Sequence, residues 1–315
     1  MIPDNIEHIQ NNAFTGCLNL EKAELPENLT YIPGDMFFFC AGLSDVVIHG
    51  ELQRIGYGAF NECTSLKEFT IPDTVTKIGW RAFENAGCTE NIDGLLYVQD
   101  WLVGSDPKIE TAVIRDGTLG IAERSMTFMK NVTLVDIPPS VKYPGDAVYI
   151  GIPSATHSVM HYRARTLPER TIATNKCSTD IYIHDPFCEI FDSEKTISPI
   201  YRYYVKEDSG DRLIQNEVLM EDALVIHGYA NSTAQAYAEK YSRQFETIKP
   251  SGDVNADGAF NISDVVLLQK WLLADPDTHL ADWKAADMCE DNRLDVFDLC
   301  LMKHELLNKI NAQNG

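Results

Sequence analysis

No run of 18 or more consecutive apolar residues occurs in this 315-residue chain, so no segment reads as a membrane-spanning helix. Its first residues, Met1-Ile2-Pro3-Asp4, supply neither the basic stretch nor the apolar core of an export signal. Positive charge is scarce. Against 47 Asp and Glu stand 26 Lys and Arg, a net charge of −21 that repels phosphate backbones and anionic lipid, and so disfavours nucleic acid and membrane insertion. Nucleophile elbow, Gly-rich phosphate loop and paired-histidine zinc helix are all missing. The eight cysteines include no Cys-x-x-Cys spacing, which removes the usual zinc and redox arrangements. Cys177 or Cys188 could meet His184, or His157 and His161, but neither cysteine lies in a nucleophile motif, and the chain reads as non-catalytic.

What the chain has in plenty is repetition. Phe14, Phe37, Phe60 and Phe83 are each 23 residues apart, and the same phase returns Ile9, Ile32, Ile55 and Ile78; Cys17, Cys40 and Cys63; Leu20, Leu43 and Leu66; and Leu25, Ile48 and Ile71. Such a period marks leucine-rich repeats, in which each coil buries its apolar residues only by stacking on its neighbours. The laddered cysteines then act as small buried hydrophobes and are expected as free thiols, with pairing among Cys88, Cys177 and Cys188 left open. The stretch from Leu66 through Ile71-Pro72-Asp73 to Ile78-Gly79, with Gly58-Ala59-Phe60-Asn61-Glu62-Cys63, resembles the bacterial surface-protein class of these repeats called BspA-like.

A diverged coil recurs at Ile121, Met126, Met129, Val132, Val135 and Ile137, with Met126 lying 43 residues after Phe83, one period plus 20. Within that insertion Leu95–Val98 and Trp101–Val103 flank Gln99-Asp100, which predicts a β-hairpin protruding from the solenoid, with Tyr97 and Trp101 as exposed aromatics for ligand contact. From about 145 to 226 the register weakens and irregular coils are expected, with short strands at Ile181–Ile183 and Leu224–Ile226. Gly228–Ala238 resembles the closing segment of the same repeat class; Ser232 and Gln235 have capping-box spacing before a helix from Thr233 to Arg243. Lys249-Pro250-Ser251-Gly252 reads as a short break.

Beyond it, Asp253, Asn255, Asp257, Ala259 through its carbonyl, Asn261 and Asp264 fall at positions 1, 3, 5, 7, 9 and 12 of a loop with Gly258 at 6. Ca²⁺ takes six to eight oxygens at about 2.3–2.6 Å, and this is the spacing that supplies them. A second copy follows at a constant offset from the first (287 − 253 = 34): Asp287, Cys289, Asp291, Arg293 through its carbonyl, Asp295 and Asp298. Each loop runs into an apolar helix, Val265–Leu273 and Leu299–Ile310. The duplicated loop-helix layout, with Asp at both twelfth positions and Gly252-Asp253-Val254-Asn255 at the start, resembles the type I dockerin module of cellulosomes. Cys289 and Asn292 depart from that pattern. A thiol is a poor ligand for a hard cation, so of two calcium sites the second is expected to be weaker.

The resemblance implies a cohesin on a scaffoldin as partner, recognised by Ile262, Ser263, Gln269 and Lys270 in the first half and by Val296, Phe297, Lys303 and His304 in the second. The halves differ, Ser263 against Phe297, which favours one docking orientation. The expected plan is an α/β-type solenoid over 1–226 (regular repeats 1–90, hairpin insertion about 91–110, irregular coils 145–226), a capping helix within 227–249 and a small all-α dockerin over 250–315. The expected role is that of an extracellular cellulosome component whose repeats bind an unknown protein or polysaccharide. The alternative is the C-terminal part of a larger secreted glycoside hydrolase or cysteine peptidase, suggested by Ile2-Pro3, which opens the chain inside a repeat without a cap.

Overall fold

Once per repeat the backbone returns to the same place one layer further along. The N–H of Phe14 donates to the carbonyl of Met36 at 2.9 Å, Phe37 to Ala59 at 2.9 Å and Phe60 to Ala82 at 2.7 Å. In this computed structural model, residues 6, 8–127, 129, 131–146, 149–150, 157–173, 178–198, 200–206, 213–219, 224–229, 231–248, 251–289 and 293–314 are described. They fall into two compact units, 1–181 with 188–225, and 182–187 with 226–315.

In the first unit the phenylalanines form a continuous spine, with Phe14, Phe37, Phe60 and Phe83 stacked at centroid spacings of 5.6, 5.5 and 5.4 Å. Ile32, Ile55, Leu43 and Leu66 are fully buried beside it. Short parallel strands carry the stacking: Lys22–Leu25 pairs with Asp45–Ile48, and Tyr31–Ile32, Arg54–Ile55 and Lys77–Ile78 lie side by side. Coils approach so closely at Gly56 that a Cβ there would come within 2.6 Å of the Gly34 nitrogen. Two turn positions per coil are left-handed, one at Asn12, Asp35, Gly58 and Arg81, the other at Gly16, Phe39, Glu62 and Asn85. The ladder cysteines donate to carbonyls of the preceding coil, Cys40 to Phe14 at 3.0 Å and Cys63 to Phe37 at 3.1 Å. Burial pushes the Cys63 thiol up to about 12.

None of the seven described cysteines is disulfide-bonded, and Cys177 lies outside the described residues. Cys188 is fully buried with its thiol on the Ala164 carbonyl at 3.6 Å, so this cysteine offers no exposed nucleophile to an imidazole.

One sequence expectation for this unit is corrected. The hairpin does not protrude. Leu95–Val98 and Trp101–Ser105 pair antiparallel, and the second strand pairs parallel with Gly120–Ile121 in a five-stranded sheet. Tyr97 and Trp101 are therefore 1% and 2% exposed; Trp101 stacks on Tyr143 at 6.0 Å and the Tyr97 hydroxyl accepts from the Arg115 N–H at 3.3 Å. Two consecutive apolar strands remove more surface from water by joining the sheet than by standing free of it.

In the later coils the pairing stays parallel while the interval varies, 25 residues from Leu134 to Val159 and from Ile172 to Ile197 against 23 in other pairs. Met126 pairs with Tyr149 and Tyr149 with Ile172, two steps of 23, and Thr166–Leu167 pairs with Glu189–Ile190 at the same interval. Thr111–Val113, Leu134–Ile137, His157–Tyr162 and Ser178–Ile183 run side by side in one sheet. The apolar signal fades because polar residues take inward places: Ser158 and Thr179 are 2% exposed and share a 3.0 Å hydroxyl hydrogen bond. Beyond these coils Ile200–Lys206 and Leu213–Leu219 form an antiparallel pair.

In the second unit Tyr182 stacks on His227 at 4.2 Å, and helix α1, Thr233–Lys240, is capped by Ser232, whose hydroxyl accepts from the Gln235 N–H at 3.2 Å. After a strand at Gln244–Thr247 come helices α2, Ile262–Leu272, and α3, Val296–Asn314. They share a core of Val254, Val265, Leu268, Leu280, Ala285, Leu299, Met302 and Leu306. The cap and these helices are one body: the Tyr229 hydroxyl donates to Asp282 Oδ2 at 2.9 Å, Asp282 Oδ1 accepts from the Ala285 N–H at 3.0 Å, and Phe187 stacks on Trp283 at 5.9 Å. Of the expected break, Lys249 and Pro250 lie outside the described residues.

Truncating a ring of the spine leaves a void that stacked backbones cannot close. Phe60→Ala is expected to lower unfolding free energy by about 3–5 kcal/mol, whereas Phe39→Ala, at a ring 48% exposed, is expected to cost under about 0.5 kcal/mol. Urea denaturation of both variants checks this; equal losses would show that the spine does not hold the coils.

Candidate metal centre and docking face

The first loop is wound around Asp264, fully buried at the start of α2. Its Oδ1 accepts from the N–H groups of Val254 at 3.1 Å and Asn255 at 3.3 Å, and its Oδ2 from Asn261 at 2.8 Å, while the Asn261 side chain caps the helix by accepting from Ser263 N–H at 2.8 Å. Asp253 Oδ1 accepts from Asp257 N–H at 3.2 Å and Asp253 Oδ2 from Gly258 N–H at 2.9 Å; Asn255 Oδ1 and Asp257 Oδ1 accept from Asp257 and Ala259. The tight course needs left-handed residues at Ala256 and Gly258, with φ of 57° and 88°.

The consequence is a knot of carboxylates. Burial pushes the Asp253 carboxyl above the ordinary range, and the charges of Asp264 and Asp257 push the same way. Among the described residues no lysine, arginine or histidine pairs with Asp253, Asp257 or Asp264. This donor set fits a hard divalent cation: Asp253, Asn255, Asp257, Asn261 and Asp264 offer side-chain oxygens and Ala259 its carbonyl.

The second loop repeats part of this winding. Asp298, fully buried, accepts from Cys289 N–H at 3.2 Å through Oδ1 and from Asp295 N–H at 3.0 Å through Oδ2. These are the bonds of Asp264 to Asn255 and Asn261 moved by 34 (289 − 255 = 295 − 261 = 298 − 264). Asp287, Cys289 and Asp298 bring their ligand atoms within 4.8 Å of one another. Two features set the loop apart. The Cys289 thiol lies 3.1 Å from Asp298 Oδ1, and Lys284, 6% exposed, places its ammonium 2.6 Å from Asp287 Oδ2. Loop two thus carries part of its counter-charge within the chain. Lys284 was missed from sequence, although its place three residues before Asp287 is ion-pair spacing on one helical turn. Arg293 is exposed, Asp295 Oδ1 accepts from Phe297 N–H at 2.7 Å, and Asp291 and Asn292 lie outside the described residues.

All eight residues anticipated for partner recognition are on the surface. Ile262, Val296 and Phe297 are 63%, 59% and 70% exposed, so they do not pack the small core, and Ser263, Gln269, Lys270, Lys303 and His304 are exposed with them. Val266 and Leu301, also exposed, extend the apolar faces of α2 and α3; each stands four residues after an anticipated contact, Ile262 and Phe297, so helical spacing was the signal for them.

Residues 1–96 match the family described as BspA type leucine-rich repeat region, in six copies, and residues 251–307 match the type I dockerin domain. No curated protein matches the chain. Among solved structures it is similar to a leucine-rich cell surface protein of Faecalibacterium prausnitzii, at 19% identity over 76% of this chain and 62% of that one, with a TM-score of 0.37. It is also similar to a leucine-rich repeat protein of T. pallidum, at 18% identity over 50% and 71% with a TM-score of 0.28. A third is the pneumococcal vaccine antigen PcpA, at 16% identity over 73% and 68% with a TM-score of 0.29. The chain spans 62% of the length of the first of these.

Because among the described residues no cationic side chain pairs with the carboxylates of loop one, whereas Lys284 pairs with Asp287 in loop two, calcium titration followed by calorimetry is expected to give one tight and one weak phase. Asp264→Ala should abolish the tight phase and Asp298→Ala should spare it; the reverse assignment would contradict this account of the loops.

Proposed function

We propose that the C-terminal unit is a calcium-dependent plug for a cohesin module of a scaffoldin, and that the solenoid is a non-catalytic binding module for a protein or polysaccharide, displayed in an extracellular cellulosome. The observation that carries the reading is the pairing of two like-wound acidic loops, through Asp264 and Asp298, with exposed apolar residues at the start of the helix each loop leads into. Like charges held together by burial and backbone hydrogen bonds destabilise the loop until a cation enters, so calcium binding is coupled to folding and to the presentation of both helices. Calcium fills loop one through Asp253, Asn255, Asp257, Ala259, Asn261 and Asp264, and loop two more weakly through Asp287, Cys289, Asp291, Arg293, Asp295 and Asp298.

The cohesin contacts are Ile262, Ser263, Gln269 and Lys270 on one half, and Val296, Phe297, Lys303 and His304 on the other. Large apolar side chains at an interface centre supply most of the binding energy. Phe297 has Ser263 as its counterpart, so the second half presents the stronger anchor and one orientation dominates.

Titration of the whole chain against a panel of cohesins, in calcium and again in chelator, tests this. Binding is expected only in calcium. It should weaken roughly a hundredfold or more on changing Val296 and Phe297 to Ala, and much less on changing Ile262 and Ser263. Silence across the panel with calcium bound, or affinity and helicity untouched by chelator, would overturn the reading.

A further inference from the structure

With Tyr97 and Trp101 buried, Trp80 is a large aromatic that the first unit places at a cavity. The cavity, about 190 Å³, forms where the hairpin insertion meets the regular coils, and Trp80, Arg81, Glu84, Ser105, Arg124 and Ser125 are among its walls. Two guanidiniums approach the indole, with Arg81 Cζ 4.4 Å and Arg124 Cζ 5.6 Å from its ring centroid. Arg81 is paired with Glu84 at 3.3 Å, whereas no carboxylate among the described residues pairs with Arg124.

The place of these arginines in the fold is costly. Both are left-handed, with φ of 57° and 53°, at the turn that Asn12, Asp35 and Gly58 occupy in the three preceding coils. Arg124 keeps the turn's hydrogen bond: its N–H donates to the carbonyl of Asp146 in the next coil, as Asp35 donates to Tyr57 and Gly58 to Trp80 (146 − 124 = 57 − 35 = 80 − 58). Asn, Asp and Gly enter this region readily and long side chains do not. Backbone strain of this kind gathers at functional sites, and here other features converge with it. Ser105 Oγ donates to the Ser125 carbonyl at 2.9 Å and Thr127 Oγ1 to the Arg124 carbonyl at 3.0 Å, so each hydroxyl proton is engaged and each oxygen remains an acceptor. Ser125, 5% exposed, has an Oγ with no hydrogen-bond partner among the described residues, and a buried polar atom in that state calls for one.

We propose that this cavity binds a carboxylate-bearing sugar unit, a uronic acid. Its ring packs against the indole edge of Trp80, its carboxylate takes the guanidinium donors of Arg124 and Arg81, and its hydroxyls donate to the serine and threonine oxygens. A cavity of this size suits one such ring rather than a larger ligand. The inference rests on reading the solenoid as a binding module and does not depend on the calcium loops.

The test is calorimetric titration of the whole chain with a galacturonic acid trimer and with a neutral galactose trimer. The acidic trimer is expected to bind roughly tenfold more tightly or better, with the difference shrinking as salt rises. Arg124→Asn, which installs the residue type of Asn12, should melt no lower than the parent and lose the acidic preference; Trp80→Ala should weaken both trimers. Equal affinities, no binding of either trimer in the millimolar range, or an Arg124→Asn protein that keeps the preference would each overturn the proposal. If Arg124→Asn melts lower, Arg81→Asn gives the same reading. A cohesin titration on the same sample reports separately on the plug, so failure of one reading is distinguishable from failure of the other.

Discussion

A single coil of the solenoid has too few apolar side chains to enclose a core of its own, and the first unit is shaped by the need to bury each coil's inward face against the next. Backbone hydrogen bonds between coils, such as Phe37 to Ala59, hold consecutive turns in one phase, and phase brings Phe14, Phe37, Phe60 and Phe83 into contact. Once the backbone register exists it persists through side chains that would not have established it. Ser158 and Thr179 sit inward on the later coils, satisfied by each other, and parallel pairing continues from Met126 to Tyr149 to Ile172. The hairpin obeys the same constraint: its second strand joins Gly120–Ile121, and its two large aromatics become core.

The second unit answers a different problem, the concentration of negative charge in a chain of net −21. Its two loops share part of their winding and have two electrostatic solutions. Around Asp264 the carboxylates are gathered by backbone N–H groups with no cationic side chain among them in the described residues. Around Asp298 a buried ion pair between Lys284 and Asp287 contributes positive charge from within. Burying such a pair is favourable only when the geometry is close and further hydrogen bonds complete it. A thiol in place of the third oxygen donor reinforces the difference, since sulfur suits soft cations and these loops otherwise offer oxygen. Asp282, held by the Tyr229 hydroxyl and the Ala285 N–H, joins the cap to the helices, so the exposed faces of α2 and α3 are presented from a body larger than the helix pair alone.

Much of this was legible in the residues. Four phenylalanines at one interval marked the coils because a rigid period repeats every contact, and twelve-residue acidic spacing marked the loops because a hard cation dictates where oxygens stand. Less legible were features in which distant residues share one place. Tyr97 and Trp101 looked like surface aromatics since nothing local says that Leu102 will lie beside Ile121. Nothing local to Trp80 says that Arg124, 44 positions later (124 − 80), will lie over its ring. Lys284 carried a local signal, its spacing from Asp287, but whether a lysine three residues from an acid is solvated or buried depends on the packing of Ala285, Ala286 and Leu280 around it.

What the sequence by itself determined was the kind of each part: a stacked solenoid, a closing helix, and two acidic loop-helix motifs, all of which follow from short-range spacing. What only the tertiary structure decided was direction and company. It turned the hairpin inward, kept Ile262, Val296 and Phe297 outward, set Lys284 against Asp287 and brought two guanidiniums to Trp80. The reason is physical. Burial and charge pairing depend on which surfaces meet after the chain has folded, and side chains brought together across a coil boundary leave no periodic trace in the order of residues.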